Sequence, residues 1–278
     1  MAKEEGKEEG KKVAAPAQPR LILYSFDKDN TQHHFSSFVT KLQFRLRYAG
    51  ITYESAFGSR PQAPKGKIPY VRFLDDSNEL MGDSTLVAKR LIDAGEMEDL
   101  NAALSPEVRA HDLCLRSMIE DNMYFLLLYE RWNENHKAMR DDGPWAHLRG
   151  GIRHVFVGFV FRFVRLMLYF QGTGRHSPEE IKRFQTEAIG ALADLATAAK
   201  DKTTGRDTEP GQQKTPFWIL GGEKPTEADF SLFGYLSGLL VTPTQPATVA
   251  LIKSHPALVD YVERIHKTYF ADFRDLGL

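Results

Sequence analysis

The pattern of apolar and polar residues changes near residue 100. Before that point, short apolar runs are interleaved with segments whose apolar residues recur every three to four positions, and beyond residue 105 the strand-like runs cease. A period of two is typical of strands and a period near 3.6 is typical of amphipathic helices. The pattern therefore predicts a mixed α/β unit followed by an all-helical unit.

The first unit is predicted to have the order β-α-β-loop-β-β-α. Helices are expected at 37–49 and 83–94, and each is followed by a glycine, Gly50 or Gly95, which is the residue most common just beyond a helix end. The turn DDSN joins the last two strands and predicts a hairpin. The strands are expected in RLILYSF, ITYESAF, IPYVRFL and ELMG.

The second unit begins with a long helix over 105–132, where Ser105 is placed as a cap and Pro106 at the first helical position. Further helices are expected at 145–171, 177–200, 226–241 and 256–271, and a solvated loop at 200–214. These elements divide the chain into three parts: a tail at 1–20, an α/β domain at 21–96 and an all-helical domain at 104–278.

Composition and charge narrow the functional classes. The 36 basic residues are balanced by 37 acidic ones, so the chain lacks the basic field that binds nucleic-acid phosphates, and no nucleic acid is expected as a partner. The lone Cys114 excludes an internal disulfide and a cysteine-built zinc site, and it suits a reducing compartment, so a cytoplasmic location is expected. The tail mixes Lys and Glu with few apolar residues and is expected to be disordered.

The most apolar stretch is IRHVFVGFVFRFVRLMLYF at 152–170. Its longest uninterrupted apolar run, 155–161, is far short of the roughly 20 residues that a membrane-spanning helix needs. His154, Arg162 and Arg165 fall on one side of a helix. The pattern favours a buried helix with one basic stripe over a membrane-surface or partner-binding helix, and membrane contact is not expected.

Three local segments carry a resemblance. The stretches KGKIPYV, GDSTLVAKRL and PTEADFSLFGYL follow one another in the order found in the glutathione transferase superfamily, which the chain resembles over roughly residues 21–270. The resemblance implies a thioredoxin-like domain followed by a helical bundle. More narrowly, SSFVTKLQFRLRYAGITYE, PKGKIPYV, YERW and GTGRHSPEEI resemble the branch of metaxins and failed axon connections proteins, in which the position of Val39 is often cysteine.

The resemblance also implies a binding site for glutathione as co-substrate. The Ile68–Pro69 bond is then cis, and the backbone of Ile68 pairs with the cysteinyl part of glutathione. Asp83 and Ser84, at a helix start that attracts carboxylates, hold the γ-glutamyl end. Lys67 is placed near a glutathione carboxylate. The alternatives are a plain turn proline, a helix cap at Asp83 or Ser84, and a solvated lysine.

Two serines at the mouth of the first helix supply the candidate chemistry. A hydroxyl that donates to sulfur at a helix N-terminus favours the thiolate, which is the nucleophilic form of glutathione. Ser36 is aligned with the superfamily's catalytic residue, Ser37 stands where proline is usual, and Tyr24 in the first strand is the fallback. In the alternative, one serine caps the helix and the other has no role.

Other polar and aromatic residues are predicted to be structural. Thr226 and Asp229 form a capping box, and His33 and His34 point to opposite sides of an extended segment, so no metal site is expected. The resemblance places the second substrate, a small hydrophobic electrophile, in a groove between the domains, and it implies a homodimer without specifying the surface. Residues proposed to line the groove, or else to pack in the core, are Met123, Tyr124, Leu127, Tyr129 and Trp132.

Two functions follow from these observations. The first is a glutathione transferase that ionises glutathione and transfers it to a small hydrophobic electrophile. The second is a non-catalytic binding or adaptor protein of the same fold, which is favoured by the metaxin-like resemblance and the missing cysteine.

Overall fold

The computed structural model describes residues 18–27, 29–143, 145–146, 148–203 and 214–278. Most of the tail predicted at 1–20 and most of the loop predicted at 200–214 lie outside the described residues. All six elements predicted for the first unit are confirmed. They are β1 Leu21–Ser25, α1 Ser37–Tyr48, β2 Tyr53–Phe57, β3 Tyr70–Phe73, β4 Leu80–Gly82 and α2 Ser84–Asp93.

The four strands form one mixed sheet in the order β2-β1-β3-β4. β1 runs parallel to β2 and antiparallel to β3, and the predicted β3–β4 hairpin is present. Tyr70 pairs with Tyr24 of β1 and with Gly82 of β4. The C-terminal ends of β1 and β4 therefore meet the N-terminal end of β3 at one edge of the sheet.

One face of the sheet is covered by α1 and α2. The residues that form this core are Leu21, Leu23, Val39, Leu42, Leu46, Val71, Phe73, Val87 and Leu91, all almost fully buried. Because successive strand residues point to opposite faces, Tyr24 and Tyr70 lie on the other face, where their rings stack 4.7 Å apart. Leu42 and Leu46 of α1, which recur at helical spacing, pack in this core, whereas Phe38 contacts Tyr124 of the helical part at a ring distance of 5.3 Å.

The second part of the described chain is helical. Its elements are α3 Pro106–Ser117, a π-helical turn Met118–Met123, α4 Tyr124–Tyr129, a second π-helical turn Glu130–Glu134, α5 His136–Asp141, α6 Gly150–Gln171, a 3₁₀ turn Thr173–Arg175, α7 Pro178–Asp201, α8 Glu227–Leu240, α9 Pro246–Lys253 and α10 Pro256–Tyr269. Helices α5 and α9 were not predicted, because six and eight residues are too few to display a clear period. Helix α6 begins at Gly150 and not at 145.

Helix α8 joins the two parts. It is apolar around nearly its whole circumference, as expected of a helix buried on all sides. The capping box predicted at its start is confirmed, with the Asp229 carboxylate accepting from the Thr226 N–H at 2.8 Å. On the side facing α1, Gly234 allows the two backbones to approach, because a Cβ there would lie 2.8 Å from the backbone nitrogen of Lys41 and would also meet the Ser37 carbonyl.

The prediction that the apolar helix at 152–170 is buried is wrong. Only Val157, Val160, Val164 and Leu168 of α6 are buried. These side chains pack on α4 and its flanking turns, while Phe159 and Phe170 are each 71% exposed. The sequence shows how much of the helix is apolar, but only the tertiary contacts show how narrow a stripe of it is covered.

Candidate functional site

The residues predicted to hold glutathione lie at the edge where β1, β3 and β4 meet. The Ile68–Pro69 peptide bond is cis, as the resemblance implied. Tyr70 pairs with Tyr24 and Gly82, so Pro69, one residue earlier, lies beside the end of β1 and beside Asp83. The backbone N–H and C=O of Ile68 make no hydrogen bond with any described residue. Such a pair of unused groups is what an extended ligand needs in order to add to a sheet edge.

Asp83 caps α2 and keeps one oxygen unused. Its Oδ1 accepts from the N–H groups of Thr85 at 2.9 Å and Leu86 at 3.1 Å, whereas Oδ2 has no partner among the described residues. Its φ of 88° lies in a region that side chains rarely adopt, and such positions cluster at ligand sites. Asp83 therefore caps the helix, which was the structural alternative, and its second oxygen is left available to a further hydrogen-bond donor.

Ser84 and Lys67 differ in their surroundings. Ser84 is buried in the first turn of α2, and its hydroxyl makes no hydrogen bond with a described residue. Lys67 is exposed, and no acidic side chain in the described part of the chain pairs with it. The lysine is thus placed as a solvated point charge near the sheet edge, where it can meet a carboxylate.

Ser36 stands at the N-cap position of α1, but its side chain does not cap the helix. Its carbonyl accepts from the Val39 N–H at 3.0 Å, and its own N–H donates to Nδ1 of His34 at 2.9 Å. The hydroxyl has no partner among the described residues. The backbone of Ser36 is therefore fixed, and its hydroxyl is left at the positive end of a helix, where an anion is stabilised.

His34 was considered in the sequence only as a metal ligand, and in the structure it positions Ser36. Burial, with a smaller contribution from the charge of Arg131, lowers the pKa of His34 to about 3. The neutral imidazole accepts at Nδ1 and so carries its proton on Nε2, which is buried without a partner. Arg131, from the second π-helical turn, donates to the Phe35 carbonyl at 3.1 Å. The segment before Ser36 is thus held from both parts of the fold.

Ser37, the first residue of α1, faces α8 and the first π-helical turn. Together with Phe38 and Tyr124 it lines a cavity of about 10 Å³, roughly the room of one water molecule. Below it, the buried Lys41 ammonium donates to Glu120 at 2.7 Å and to the Thr85 hydroxyl at 2.8 Å. The Lys41 contacts connect the starts of α1 and α2 to the helical part of the chain.

Tyr24 is separated from the serines by the sheet. Its ring lies on the face opposite α1, stacked on Tyr70. Of the three hydroxyls proposed from the sequence, that of Tyr24 therefore belongs to the sheet face opposite α1, whereas Ser36 and Ser37 both lie at the start of α1.

The aromatic helix proposed for the second substrate lies mainly in the core, which was the alternative interpretation. Met123, Leu127, Tyr129 and Trp132 are buried, and Tyr124 is half-buried. A larger cavity of about 350 Å³ lies beside the segment that leads into α1. The residues that line it are Phe26, Asp27, Gln32, His33, His34, Phe35, Asp142, Gly143, Val241 and Thr242.

In the described ranges, no three His, Cys, Asp or Glu side chains are grouped so that they could hold a metal ion. None of the helices that the structure describes combines the length and the apolar character needed to cross a bilayer.

Comparison with known families extends these observations. Residues 37–138 match the family described as "Glutathione S-transferase N-terminal domain", and residues 215–265 match "Glutathione S-transferase, C-terminal domain". The chain belongs to the glutathione S-transferase superfamily. These matches confirm the superfamily and the fold class that were predicted from the sequence motifs.

Similar proteins and solved structures match this chain along most of its length. The isoprene-epoxide–glutathione S-transferase of Rhodococcus sp. (strain AD45) is 29% identical over 251 residues, which cover 84% of this chain and 92% of that protein. Glutathione transferase GSTFuA2 from Phanerochaete chrysosporium has a TM-score of 0.57 at 14% identity, covering 91% of this chain and 99% of the other. The β-etherase LigF from Sphingobium sp. strain SYK-6 has a TM-score of 0.55 at 16% identity, with coverage of 91% and 99%.

Proposed function

We propose that this protein is a glutathione transferase, which ionises the glutathione thiol and directs it at a small hydrophobic electrophile. The observation that supports the proposal is the set of unused hydrogen-bonding groups at the sheet edge, namely the backbone of Ile68 and Oδ2 of Asp83. The start of α2 beside them is linked to α1 by the hydrogen bond from Lys41 to the Thr85 hydroxyl. The Rhodococcus relative acts on isoprene epoxide according to its name, and a small epoxide is therefore the first electrophile to test.

Glutathione would be held along this edge by complementary groups. The free N–H and C=O of Ile68 would pair with the cysteinyl backbone as an added strand does. The γ-glutamyl end carries an ammonium group for Oδ2 of Asp83 and a carboxylate for the start of α2, where Ser84 adds a hydroxyl. Lys67 would meet a carboxylate as a point charge.

Ser36 would carry the chemical step. Its hydroxyl donates a hydrogen bond to the sulfur, and the dipole of α1 adds positive potential, so the thiol loses its proton to water more readily. The thiolate then forms a C–S bond with the electrophile, and for an epoxide the C–O bond breaks and the alkoxide takes up a proton. Ser37 and Tyr24 are the other hydroxyls proposed from the sequence.

A conjugation assay with a small apolar epoxide tests the proposal. We expect Ser36→Ala to lower kcat/KM about 100-fold, the magnitude typical of losing one hydrogen-bond donor to a developing anion. Ser37→Ala and Tyr24→Phe serve as matched controls and should retain most of the activity. Equal activity in all three variants would contradict the assignment of Ser36.

Calorimetry with glutathione separates binding from catalysis. Heat of binding that is lost in Asp83→Ala supports the edge site, and its absence in the unmodified protein would remove the whole proposal. Asp83→Asn keeps the Oδ1 cap but not the charge, so it distinguishes a weakened ligand contact from a destabilised helix.

The second candidate is a non-catalytic binding protein of the metaxin and failed axon connections branch. It is favoured by the larger cavity, which has neither Pro69 nor Asp83 in its lining. The absence of the branch's cysteine does not decide between the two functions, since Val39 is 1% exposed within the core and a side chain there would not face the edge. Glutathione binding without turnover of any epoxide would support this second function.

The proposal also covers the domain boundaries, the cellular location and the oligomeric state. The domain boundaries at 21–96 and 104–278, a cytoplasmic location and a homodimer are proposed from the sequence and the superfamily resemblance. Sedimentation of the purified protein measures the oligomeric state, and a monomer at micromolar concentration would contradict the homodimer.

A further inference from the structure

Helix α6 presents an apolar face to solvent. Its exposed large apolar side chains are Ile152, Val155, Phe156, Phe159, Phe163, Leu166, Tyr169 and Phe170, with exposed fractions between 42% and 77%. With an advance of 100° per residue, these side chains centre roughly 140° away from the buried stripe of the same helix. The helix therefore has a second apolar face that no described part of the chain covers.

The apolar area exposed on this outer face of α6 exceeds that of the apolar patches usual on soluble monomers. A whole aromatic side chain offers about 150–250 Å², so the five aromatic residues alone expose roughly 600 Å². The largest apolar patch on a typical monomer measures about 300–600 Å² and is often functional. Since the aliphatic residues add to the aromatic area, the face is expected to have an occupant.

The charged side chains that α6 itself places beside the outer face are basic. Arg162 and Arg165 lie along one flank of the apolar stripe, and the sequence has no Asp or Glu from 143 to 178. Arg162 makes no ion pair with a described residue, and Arg165 lies only over the ring of Phe161, at 5.4 Å. A helix with exposed aromatic residues and flanking arginines has the character of helices that lie in the interface of anionic lipids.

The other occupants fit less well. The segments of this chain outside the described residues contain only Met1 and Val13 as large apolar residues, so they cannot cover the face. A two-fold contact between two α6 helices about their midpoint would place Arg162 within about one helical turn of its own copy. With no acidic residue on α6, that repulsion would not be neutralised.

We propose that the outer face of α6 docks the protein on an anionic lipid surface. The aromatic and aliphatic side chains enter the boundary between headgroups and acyl chains, while Arg162 and Arg165 contact the headgroups. This docking goes beyond the proposed transferase activity and does not depend on it. It also departs from the sequence-based expectation that membrane contact is absent.

Vesicle co-sedimentation of the full chain tests the docking. Vesicles of phosphatidylcholine alone are compared with vesicles that contain about 30% phosphatidylserine, a composition that gives a negative surface potential. We expect binding to the anionic vesicles, weakened at least tenfold when salt is raised from about 0.1 M to about 0.5 M.

Matched substitutions identify the surface. Leu166 of α6 and Leu113 of α3 are both 56% exposed on helices, so Leu166→Ser and Leu113→Ser remove the same group from two places. We expect about tenfold weaker vesicle binding for Leu166→Ser and no change for Leu113→Ser. Likewise, Arg162→Gln should weaken binding and Arg109→Gln on α3 should not. Circular dichroism of each variant verifies that it remains folded.

Three results would overturn the proposal. The first is equal binding to neutral and anionic vesicles, and the second is equal loss for Leu166→Ser and Leu113→Ser. The third is an absence of vesicle binding, and if Leu166→Ser then shifts a dimer to monomer, the occupant is a second copy of the chain.

Discussion

At the scale of single residues, Asp229 illustrates how much more a buried side chain does than its motif indicates. The sequence predicted a cap for α8. The structure adds a bond from the Ile219 N–H at 2.7 Å and one from the Tyr261 hydroxyl at 2.9 Å, with the carboxylate fully buried. One side chain thus fixes the start of α8, the preceding segment and α10.

We expect Asp229→Ala to lower the free energy of unfolding by about 3 kcal/mol, because buried N–H groups lose their acceptor. For a chain of 278 residues this corresponds to a melting temperature lower by about 5 °C. Ser105→Ala is the control, since this exposed cap of α3 makes a single 3.3 Å bond and should cost about 1 kcal/mol or less. Scanning calorimetry measures both, and equal shifts would contradict the role given to Asp229.

At the scale of secondary-structure elements, the contact between α1 and α8 joins the two parts of the fold. Gly234 lies where a Cβ would press on the backbone of α1, a rigid neighbour that cannot rotate away. Gly190 in α7 is the matched opposite, because a Cβ there would meet nothing within 4 Å. Both glycines are inside helices, so the intrinsic gain in helix propensity is the same.

We expect Gly234→Ala to destabilise the protein by about 2–3 kcal/mol, since backbone shifts from overpacking exceed the gain in propensity. Gly190→Ala should instead stabilise it by about 0.5–1 kcal/mol. Urea unfolding gives both values. A stabilised Gly234→Ala variant would show that α1 and α8 are not packed as closely as the structure has them.

Some helices of this fold can be predicted from the sequence pattern, and others cannot. The periods of α1, α2, α7 and α10 are long enough to be recognised, and α2 and α7 also begin at a capping side chain, Asp83 or Ser177. The π-helical turns at 118–123 and 130–134 have no signature in the sequence, although they orient Glu120 and Arg131. The exposed face of α6 was not predicted for a similar reason. When two sides of a helix are apolar, the sequence does not show which side packs against the rest of the chain.

At the scale of the whole molecule, stability is linked to pH through buried groups. Burial lowers the pKa of His33 and of His34 to about 3 and raises the pKa of Asp229 to about 6. For the histidines, the unfolded chain binds more protons between about pH 6.5 and 3, so their contribution is present above pH 6.5 and is lost on acidification. For Asp229 the folded state binds more protons between about pH 4 and 6, so stability rises as the pH falls through that window.

The lowered pKa values of His33 and His34, with a contribution of the same sign from His266, outweigh the raised pKa of Asp229. We expect the free energy of unfolding to fall by about 3 kcal/mol between pH 7 and pH 5, at about 1.4 kcal/mol per proton and pH unit. His34→Asn keeps an acceptor near the position of Nδ1 for the Ser36 N–H but does not titrate, so the loss should shrink by about 2 kcal/mol. Urea unfolding at both pH values measures this, and the same loss in the variant would exclude His34 as a source.

Local periodicity and motifs of a few adjacent residues were enough to predict the order of the elements, an α/β part followed by a helical part, and the superfamily. The hairpin and the two helix starts are local features as well, and together with the superfamily resemblance they made Pro69, Asp83 and Ser36 proposed site residues. Three features became known only from the contacts between distant elements: Tyr24 lies on the sheet face opposite α1, His34 and Arg131 fix the segment before α1, and α6 is covered on one side alone. These relations join residues far apart in the chain, and no period or spacing records which distant surfaces come into contact.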